Sequence, residues 1–251
     1  MLIDAKTIEG FEIHATDGDI GKVHDVLFDD DQWTVRYLVV STGSWINRER
    51  VLLSPECVTG VDSDERKLSV SLRRQQVEDS PDVSSDIPVS RQQEERLRSY
   101  YAWPVYWGGA GLGDTMGGGL TPAVAPGAPM LMMPRPVDET LSGSVDASAP
   151  PPSQETEPAG DPHLRSAREV RDYEIAATDG DIGHVEDLVI DVRAWSVHRL
   201  VVDTKNWWPG RKVVVSPRQI QRVRWSDHSV RVNLTRDEIK HAPEFATERA
   251  A

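Results

Sequence analysis

The chain has 251 residues, with 41 acidic and 28 basic side chains and a formal net charge of −13. This length accommodates one or two domains, and the acidic balance argues against a protein that tracks nucleic-acid phosphates, which needs clustered lysine and arginine. The single cysteine, Cys57, excludes an intramolecular disulfide framework and a multi-cysteine zinc site, and it favours a reducing compartment. The first residues lack a secretory signal, and no apolar run reaches the roughly 18 residues of a membrane span. We therefore expect a cytoplasmic protein.

An internal repeat organises the chain. The segment ATDGDIGKVHDVLFD, which begins at Ala15, returns as ATDGDIGHVEDLVID from Ala177. The offset of 162 residues holds without a gap over roughly 10–81 and 172–243, and it brings Trp33 onto Trp195. Two copies at so long a period indicate a duplicated domain rather than a solenoid.

Each copy contains short apolar segments separated by turn signals, a pattern typical of a small β-barrel or sandwich. In the first copy the predicted strands are, in chain order, Glu12–Ala15, a strand that ends at Asp29, 33–40, Val51–Leu53 and the alternating segment 68–72. The run Leu38–Val40 is expected to be buried on both faces. A turn motif in both copies predicts the first hairpin, because glycine adopts positive φ and aspartate bonds to the local backbone. Its residues are Asp17, Gly18, Gly21, Asp179, Gly180 and Gly183.

The connection between the copies has a different composition. Of the 17 prolines, 11 lie between 104 and 162, and 10 of the 18 glycines lie between 108 and 160. Proline removes backbone donors and glycine raises the entropy cost of order, so this stretch predicts a solvated tether. We expect a first domain at 1–85, a short helix and aromatic segment at 86–107, a disordered Pro/Gly-rich linker at 108–165, and a second domain at 166–251.

Two apolar features are candidates for interaction. A capping-box pattern at Ser90 predicts a short helix over 90–101. The aromatic residues at its end form a candidate docking segment, because disordered chains are poor in aromatics; they are Tyr100, Tyr101, Trp103, Tyr106 and Trp107. We expect this segment to dock on the first domain, with a partner or a membrane interface as alternatives. Two candidate interaction loops either cap a barrel end or meet another surface, the other copy included; they carry Trp45, Ile46, Trp207 and Trp208.

The sequence lacks a recognisable catalytic or metal-binding set. The aspartates that begin with Asp17-Gly-Asp19 fail the calcium-loop spacing, because Phe28 stands where the glutamate that closes the loop is required. Cys57 aligns with Gln219, so the duplication does not support a thiol role. Neither a Gly-x-Ser-x-Gly elbow nor a phosphate-binding loop is present. We therefore expect no enzyme activity, no cofactor and no bound metal.

Both copies share one ordered motif: x-DG-x-IG-x-V-x-D-x-x-F/I-D, then Trp, Leu-Val-Val, a Trp-containing loop, a strand ending in Ser-Pro, and a final Ala/Ser-Pro. This combination resembles the PRC-barrel family, which is named for the cytoplasmic domain of the photosynthetic reaction-centre H subunit. A related barrel forms the C-terminal domain of the ribosome maturation factor. The resemblance covers about 10–82 and 170–245. It implies an all-β fold of two small PRC-type β-barrels from an internal duplication, joined by a Pro/Gly-rich linker with one short helix.

The resemblance also implies a bacterial protein that supports protein–protein contacts without chemistry of its own. Our leading hypothesis is a non-catalytic adaptor or regulatory protein with an unidentified protein partner, the two barrels packed on each other, and no nucleic acid. The first alternative is a soluble relative of the reaction-centre H subunit, associated with electron transport and peripherally with a membrane. The second is a ribosome-assembly factor that binds a basic ribosomal protein, since opposite charge speeds encounter.

Overall fold

The computed structural model describes residues 1–43, 50–81, 91–103, 161–204 and 211–246. The strands of the first copy are β1 (Leu2–Asp4), β2 (Glu12–Ala15), β3 (Gly18–Asp29), β4 (Val35–Ser41), β5 (Arg50–Leu53), β6 (Val58–Asp62) and β7 (Lys67–Val70). Those of the second copy are β8 (Leu164–Ser166), β9 (Glu174–Ala177), β10 (Gly180–Asp191), β11 (Ser196–Asp203), β12 (Lys212–Val215), β13 (Ile220–Arg224) and β14 (Ser229–Val232).

The helices are short. They are α1 (Ala5–Ile8), α2 (Arg74–Glu78), α3 (Arg91–Tyr101), α4 (Ala167–Val170) and α5 (Arg236–Lys240), with 3-10 turns at Pro55–Cys57 and Pro217–Gln219. Across the described ranges, no helix has the length and apolar character that crossing a bilayer requires. Contacts between Cα atoms group Met1–Trp103 with Glu157–Ala251 in one unit. The second unit, Pro104–Thr156, lies outside the described residues.

The described strands form two sheets of seven strands, and each copy supplies six strands of one of them. Six strands follow the order β5-β4-β3-β2-β7-β6 in the first sheet and β12-β11-β10-β9-β14-β13 in the second. Neighbours along both orders pair antiparallel, except that β2 with β7 and β9 with β14 are parallel. Equivalent strands occupy equivalent places, so the structure confirms the all-β fold and the duplication that the sequence predicts.

The seventh strand of each sheet comes from the other copy. β1 pairs antiparallel with β10, with Leu2 opposite Asp191. β8 pairs in the same way with β3, with Leu164 opposite Asp29. Since Leu2 and Leu164 are related by the repeat offset, the exchange is reciprocal. Each copy therefore lends its first strand to the sheet of the other.

The long strands β3 and β10 supply much of the apolar core. Val23, Val26 and Phe28 of β3 are at most 2% exposed. A bulge between Val23 and Asp25 changes the alternation of the strand, so that Val23 and Val26 both belong to the core although they are three residues apart. Burial of each large apolar side chain contributes about 1.5–3 kcal/mol, so these positions hold the sheet in its register.

Most predicted elements of the first copy lie where the sequence pattern places them. Glu12–Ala15 is a strand with those bounds, Leu38–Val40 is buried on both faces, and the predicted helix over 90–101 is α3. Ser90, the predicted cap, lies outside the described residues. Glu12–Ala15 is nevertheless the second strand of its copy, because the three-residue β1 precedes it.

Two predicted boundaries are wrong. The strand expected over 33–40 begins only at Val35, because Trp33 adopts a φ of 57° in the turn after β3. The linker expected over 108–165 extends too far, because Leu164–Ser166 is strand β8 and is hydrogen-bonded to the first sheet. A strand of three residues such as β8 is too short to show an alternating pattern in the sequence, so its pairing with β3 decides where the linker ends.

Candidate interaction site

The backbones of the two copies meet at a symmetric junction. The Val35 N–H donates to the Trp195 carbonyl and the Val197 N–H donates to the Trp33 carbonyl, both over 2.7 Å. Trp33 and Trp195 both have positive φ, 57° and 49°. Because the repeat offset makes Val35 equivalent to Val197 and Trp33 equivalent to Trp195, the two hydrogen bonds are equivalent to each other, and the junction lies on a local pseudo-twofold axis.

Ion pairs reinforce the same junction. The Asp30 carboxylate accepts hydrogen bonds from Arg165 Nε at 2.7 Å and lies 2.9 Å from His163 Nδ1. Glu9 and Arg171, one from each copy, form a second pair at 2.7 Å. Burial raises the pKa of Asp30, and the charge of Arg165 opposes that rise. Removal of one partner from such a partly buried pair leaves an uncompensated charge, so these groups favour the exchanged arrangement.

The aspartates of the turn motif bind the end of each copy. Asp17 Oδ1 accepts the N–H of Arg74 at the start of α2, and Asp179 Oδ1 accepts that of Arg236 at the start of α5, both over 2.7 Å. The partners lie 57 residues apart in sequence. Gly18 and Gly180 open β3 and β10. The motif therefore joins the first hairpin to the C-terminal helix of its own copy.

The remaining glycines of the motif stand inside strands, at a close approach of two backbones. A Cβ on Gly21 would lie 2.0 Å from the Ser41 carbonyl oxygen, and one on Gly183 would lie 2.0 Å from that of Asp203. Gly183 also has a φ of 63°. A side chain cannot occupy either place without displacing the next strand, so the motif needs glycine here for packing.

The aspartates of the bulges, Asp25 and Asp187, bind the first helix of the other copy. Each accepts a backbone N–H, from α4 at 3.2 Å and from α1 at 3.3 Å. Asp25 also accepts a hydrogen bond from Ser166. The equivalent of Ser166 in the first copy is Asp4, whose negative charge lies near Asp187. Burial, with a further contribution from Asp4, raises the pKa of Asp187 to about 6.

Helix α3 covers the face of the first sheet that points away from the core. Leu97 is 2% exposed and packs with Tyr37 in a separate apolar cluster, whose other buried members are Leu27, Val39, Leu52 and Leu164. Tyr101 and Trp103 of the docking segment pack against this cluster and stack on each other at 4.3 Å. Tyr100 remains 41% exposed, and its hydroxyl donates to a backbone carbonyl of α2 over 3.1 Å.

A buried carboxyl group lies under α3. Glu94 is fully buried, and its Oε2 accepts the Tyr37 hydroxyl at 2.9 Å. The Arg98 Nε donates to the same hydroxyl oxygen over 3.3 Å. Burial raises the pKa of Glu94 to about 7, Asp161 adds to the rise, and the guanidinium groups of Arg36 and Arg98 oppose it. Sequence reasoning missed this contact, because Tyr37 and Glu94 are 57 residues apart and neither carries a local signal.

The other predicted interaction residues lie outside the described ranges. They are Trp45 and Ile46 of the first loop, Trp207 and Trp208 of the second, and Tyr106 and Trp107 of the docking segment. The structure thus brings Tyr101 and Trp103 together on the first sheet and says nothing of the two loops.

Comparison with known families now decides the identity of the fold. The model of the PRC-barrel domain matches residues 2–76 and 162–239, more than half of the chain. The chain belongs to the PRC-barrel family. Both matched regions include the exchanged strand of their copy, β1 or β8. Among curated proteins, none matches the chain.

One group on the second PRC barrel has the composition of a metal site. His184, Glu186 and Asp203 offer ligand atoms within 4.8 Å of one another. However, Lys6 and Lys212 already bind Glu186 Oε1 at 2.9 and 3.1 Å, and their hydrogen bonds lower the pKa of this carboxyl to about 2. Two ammonium groups beside a ligand oppose a cation there, so the contacts describe an ion-pair cluster between the copies.

The thiol of the first PRC barrel is enclosed. Cys57 is buried, and its Sγ donates to the Ser54 carbonyl over 2.9 Å. Burial raises the pKa of the Cys57 thiol to about 12. Since the thiolate is the nucleophile and the metal-binding form, this side chain acts as a small apolar group of the core.

Proposed function

We propose that this PRC-barrel protein is a non-catalytic adaptor or regulatory protein that acts through protein–protein contacts. The observation that carries the proposal is the reciprocal exchange of β1 and β8, which joins the two barrels through both of their sheets. Such a body presents related surfaces in pairs, as a symmetric dimer does. Because both copies belong to one chain, their surfaces have diverged separately, and the two can bind different partners.

The chemistry of the described side chains supports a role in binding. The Cys57 thiol is protonated at neutral pH, and the motif residues Asp17 and Asp179 bind backbone N–H groups. Asp25 and Asp187 bind the helices of the other copy. These carboxylates are engaged in holding the fold, which is the role expected of structural groups.

Cross-linking in cells tests the proposal with the full chain. The two candidate loops are altered separately, as Trp45→Ala in one variant and as Trp207→Ala with Trp208→Ala in another. We expect at least one variant to lose a cross-linked protein partner while its circular dichroism and melting temperature stay unchanged. An unchanged partner set in both folded variants, or turnover of a substrate by the purified chain, contradicts the proposal.

A second candidate function is association with an electron-transport complex at a membrane, as a relative of the reaction-centre H subunit. The exposed Tyr100 of the docking segment favours it. Tyr101 and Trp103 weigh against it, because both pack on the first sheet and are not offered to a bilayer. Flotation of the full chain with liposomes tests it, and absence of co-flotation eliminates this function.

A further inference from the structure

The equivalent β-hairpins of the two copies carry opposite charge. Residues 218–232, which include β13 and β14, contain four arginines and one aspartate. The aligned residues 56–70, which include β6 and β7, contain four acidic and two basic side chains. Both hairpins have the same strand pairing within their sheets. The fold therefore forms without the arginines, and the fold does not explain them.

Two of these arginines stand directly opposite each other. Arg222 of β13 pairs with Arg231 of β14, and both are exposed. Gly60 and Ser69 occupy the same pair in the first copy. Like charges in directly opposed positions destabilise a strand pair. Within the described ranges, neither guanidinium has an ion pair or a side-chain hydrogen bond, so the arginine pair costs the fold stability and receives no compensation there.

An exposed aromatic side chain stands in the turn of the same hairpin, where its ring lies 6.5 Å from that of His228. Trp225, in the turn after β13, is 48% exposed and stands where the first copy has Ser63. Arg224 forms a loose pair with Asp227 at 3.4 Å. Glu174, on the neighbouring strand β9, is the acidic side chain next to this face, opposite Ser229 of β14. Tryptophan and arginine are the residue types that dominate binding energy at protein interfaces, and this hairpin exposes both.

The chemistry of the hairpin selects the class of partner. All four basic side chains are arginine, whose planar guanidinium binds a carboxylate in bidentate geometry, a geometry that lysine does not provide. The patch is one hairpin long, about 17 Å for five residues, on a chain with a net charge of −13. A nucleic acid or an anionic bilayer extends beyond the patch and meets the acidic remainder of the chain, whereas a short acidic peptide does not.

We propose that the outer face of the β13–β14 hairpin, with Arg222, Arg231 and Trp225, is a docking surface for an acidic, extended segment of a partner protein. The proposal rests on the adaptor function and names the chemistry of one partner. β13 is the last strand in the order of the second sheet, so an extended segment can lie beside it without displacing another described strand. Carboxylates of the segment then reach the arginines.

Fluorescence anisotropy with a labelled oligoglutamate peptide tests the proposal on the full chain at low salt. The double variant Arg222→Ser/Arg231→Ser should bind the peptide about tenfold more weakly. It should melt at the same temperature as the original chain or higher, since like charges are removed. The control Arg96→Ser/Arg193→Ser makes the same change in net charge on exposed arginines elsewhere and should bind within about twofold of the original.

A transplant of the pair keeps the test independent of lost folding. Gly60→Arg/Ser63→Trp/Ser69→Arg places the arginine pair and the tryptophan on the first copy, where a Cβ on Gly60 meets its nearest neighbour only at 3.8 Å. Because the four acidic side chains of the first hairpin remain, it should raise the amount of oligoglutamate bound at low salt by less than a second full site. Equal binding by the double variant and the control overturns the proposal, as does an unchanged amount of bound peptide after the transplant.

Tighter binding to phosphatidylglycerol vesicles or to an oligo-dT strand, with the same dependence on Arg222 and Arg231, also overturns the proposal, because the partner is then of another class. Failure of the hairpin is distinguishable from failure of the adaptor function. If only the hairpin proposal fails, at least one loop variant still loses a cross-linked partner; if the adaptor function fails, neither loop variant loses one.

Discussion

The contact between α3 and the first sheet should weaken as the pH rises, and Glu94→Gln should remove that dependence. The Glu94 carboxyl is fully buried and accepts the Tyr37 hydroxyl at 2.9 Å. Glutamine has the same shape and keeps a carbonyl oxygen as acceptor, but it does not ionise. The variant therefore tests the charge of residue 94 without opening a cavity under the helix.

The magnitude follows from the raised pKa of Glu94. Its rise from 4.5 to about 7 corresponds to about 3 kcal/mol between the protonated and ionised forms. Because the pKa is raised when α3 is docked, the docked helix binds the proton more tightly than the released one. The stabilisation is complete below about pH 4.5 and is lost as the pH rises through about 7.

Hydrogen exchange of residues 91–103, corrected for the intrinsic rate at each pH, measures this loss. Protection of α3 in the original chain should fall between about pH 5 and pH 8, while protection in Glu94→Gln should stay level. Asp187, whose pKa is raised to about 6, titrates in the same range but belongs to the other sheet. A pH dependence that is identical in both proteins refutes the reasoning.

Three further predictions concern stability and reactivity. Gly183→Ala should lower the free energy of unfolding in urea by about 3 kcal/mol or more, because its Cβ would meet the Asp203 carbonyl oxygen at 2.0 Å. A urea midpoint equal to that of the original chain contradicts this prediction. Asp179→Ala should lower the free energy of unfolding by about 1 kcal/mol, because it removes the acceptor of the Arg236 N–H. Asp179→Asn keeps a side-chain oxygen as acceptor and should lower it less in the same urea experiment. Cys57, with a thiol pKa raised to about 12, should resist iodoacetamide in the native chain and react after denaturation; rapid native labelling shows the thiol is not enclosed.

Local pattern was sufficient for the strands that build the bulk of each barrel. Leu38–Val40 is a continuous apolar run, and it is buried on both faces because α3 covers the side away from the core. The end of β2 at Ala15 follows from the Asp17-Gly18 turn signal that comes after it. These elements depend on apolar pattern and turn residues within a few positions of each other, so they can be predicted from the sequence directly.

Local pattern did not predict the exchange of β1 and β8 between the two copies. β1 and β8 have three residues each, too few for a period. The two copies also offer nearly the same long strand, β3 or β10, so apolar pattern alone does not distinguish pairing within a copy from pairing between copies. Contacts that exist only after folding make the choice, among them the Arg165–Asp30 and Arg171–Glu9 ion pairs.

The sequence by itself determined that this protein is a duplicated, acidic, all-β chain, because repetition, charge and apolar period are properties of residue order, and its shared motif resembled the PRC-barrel family. Only the tertiary structure decided which strands the two copies share and which charges meet. Arg222 and Arg231 are nine residues apart in the chain, and the register of one hairpin places them face to face. Glu94 is an ordinary surface residue by sequence, and the packing of α3 on Tyr37 removes it from water. Strand register and burial depend on contacts between residues that are distant in the chain, so local sequence pattern does not predict them.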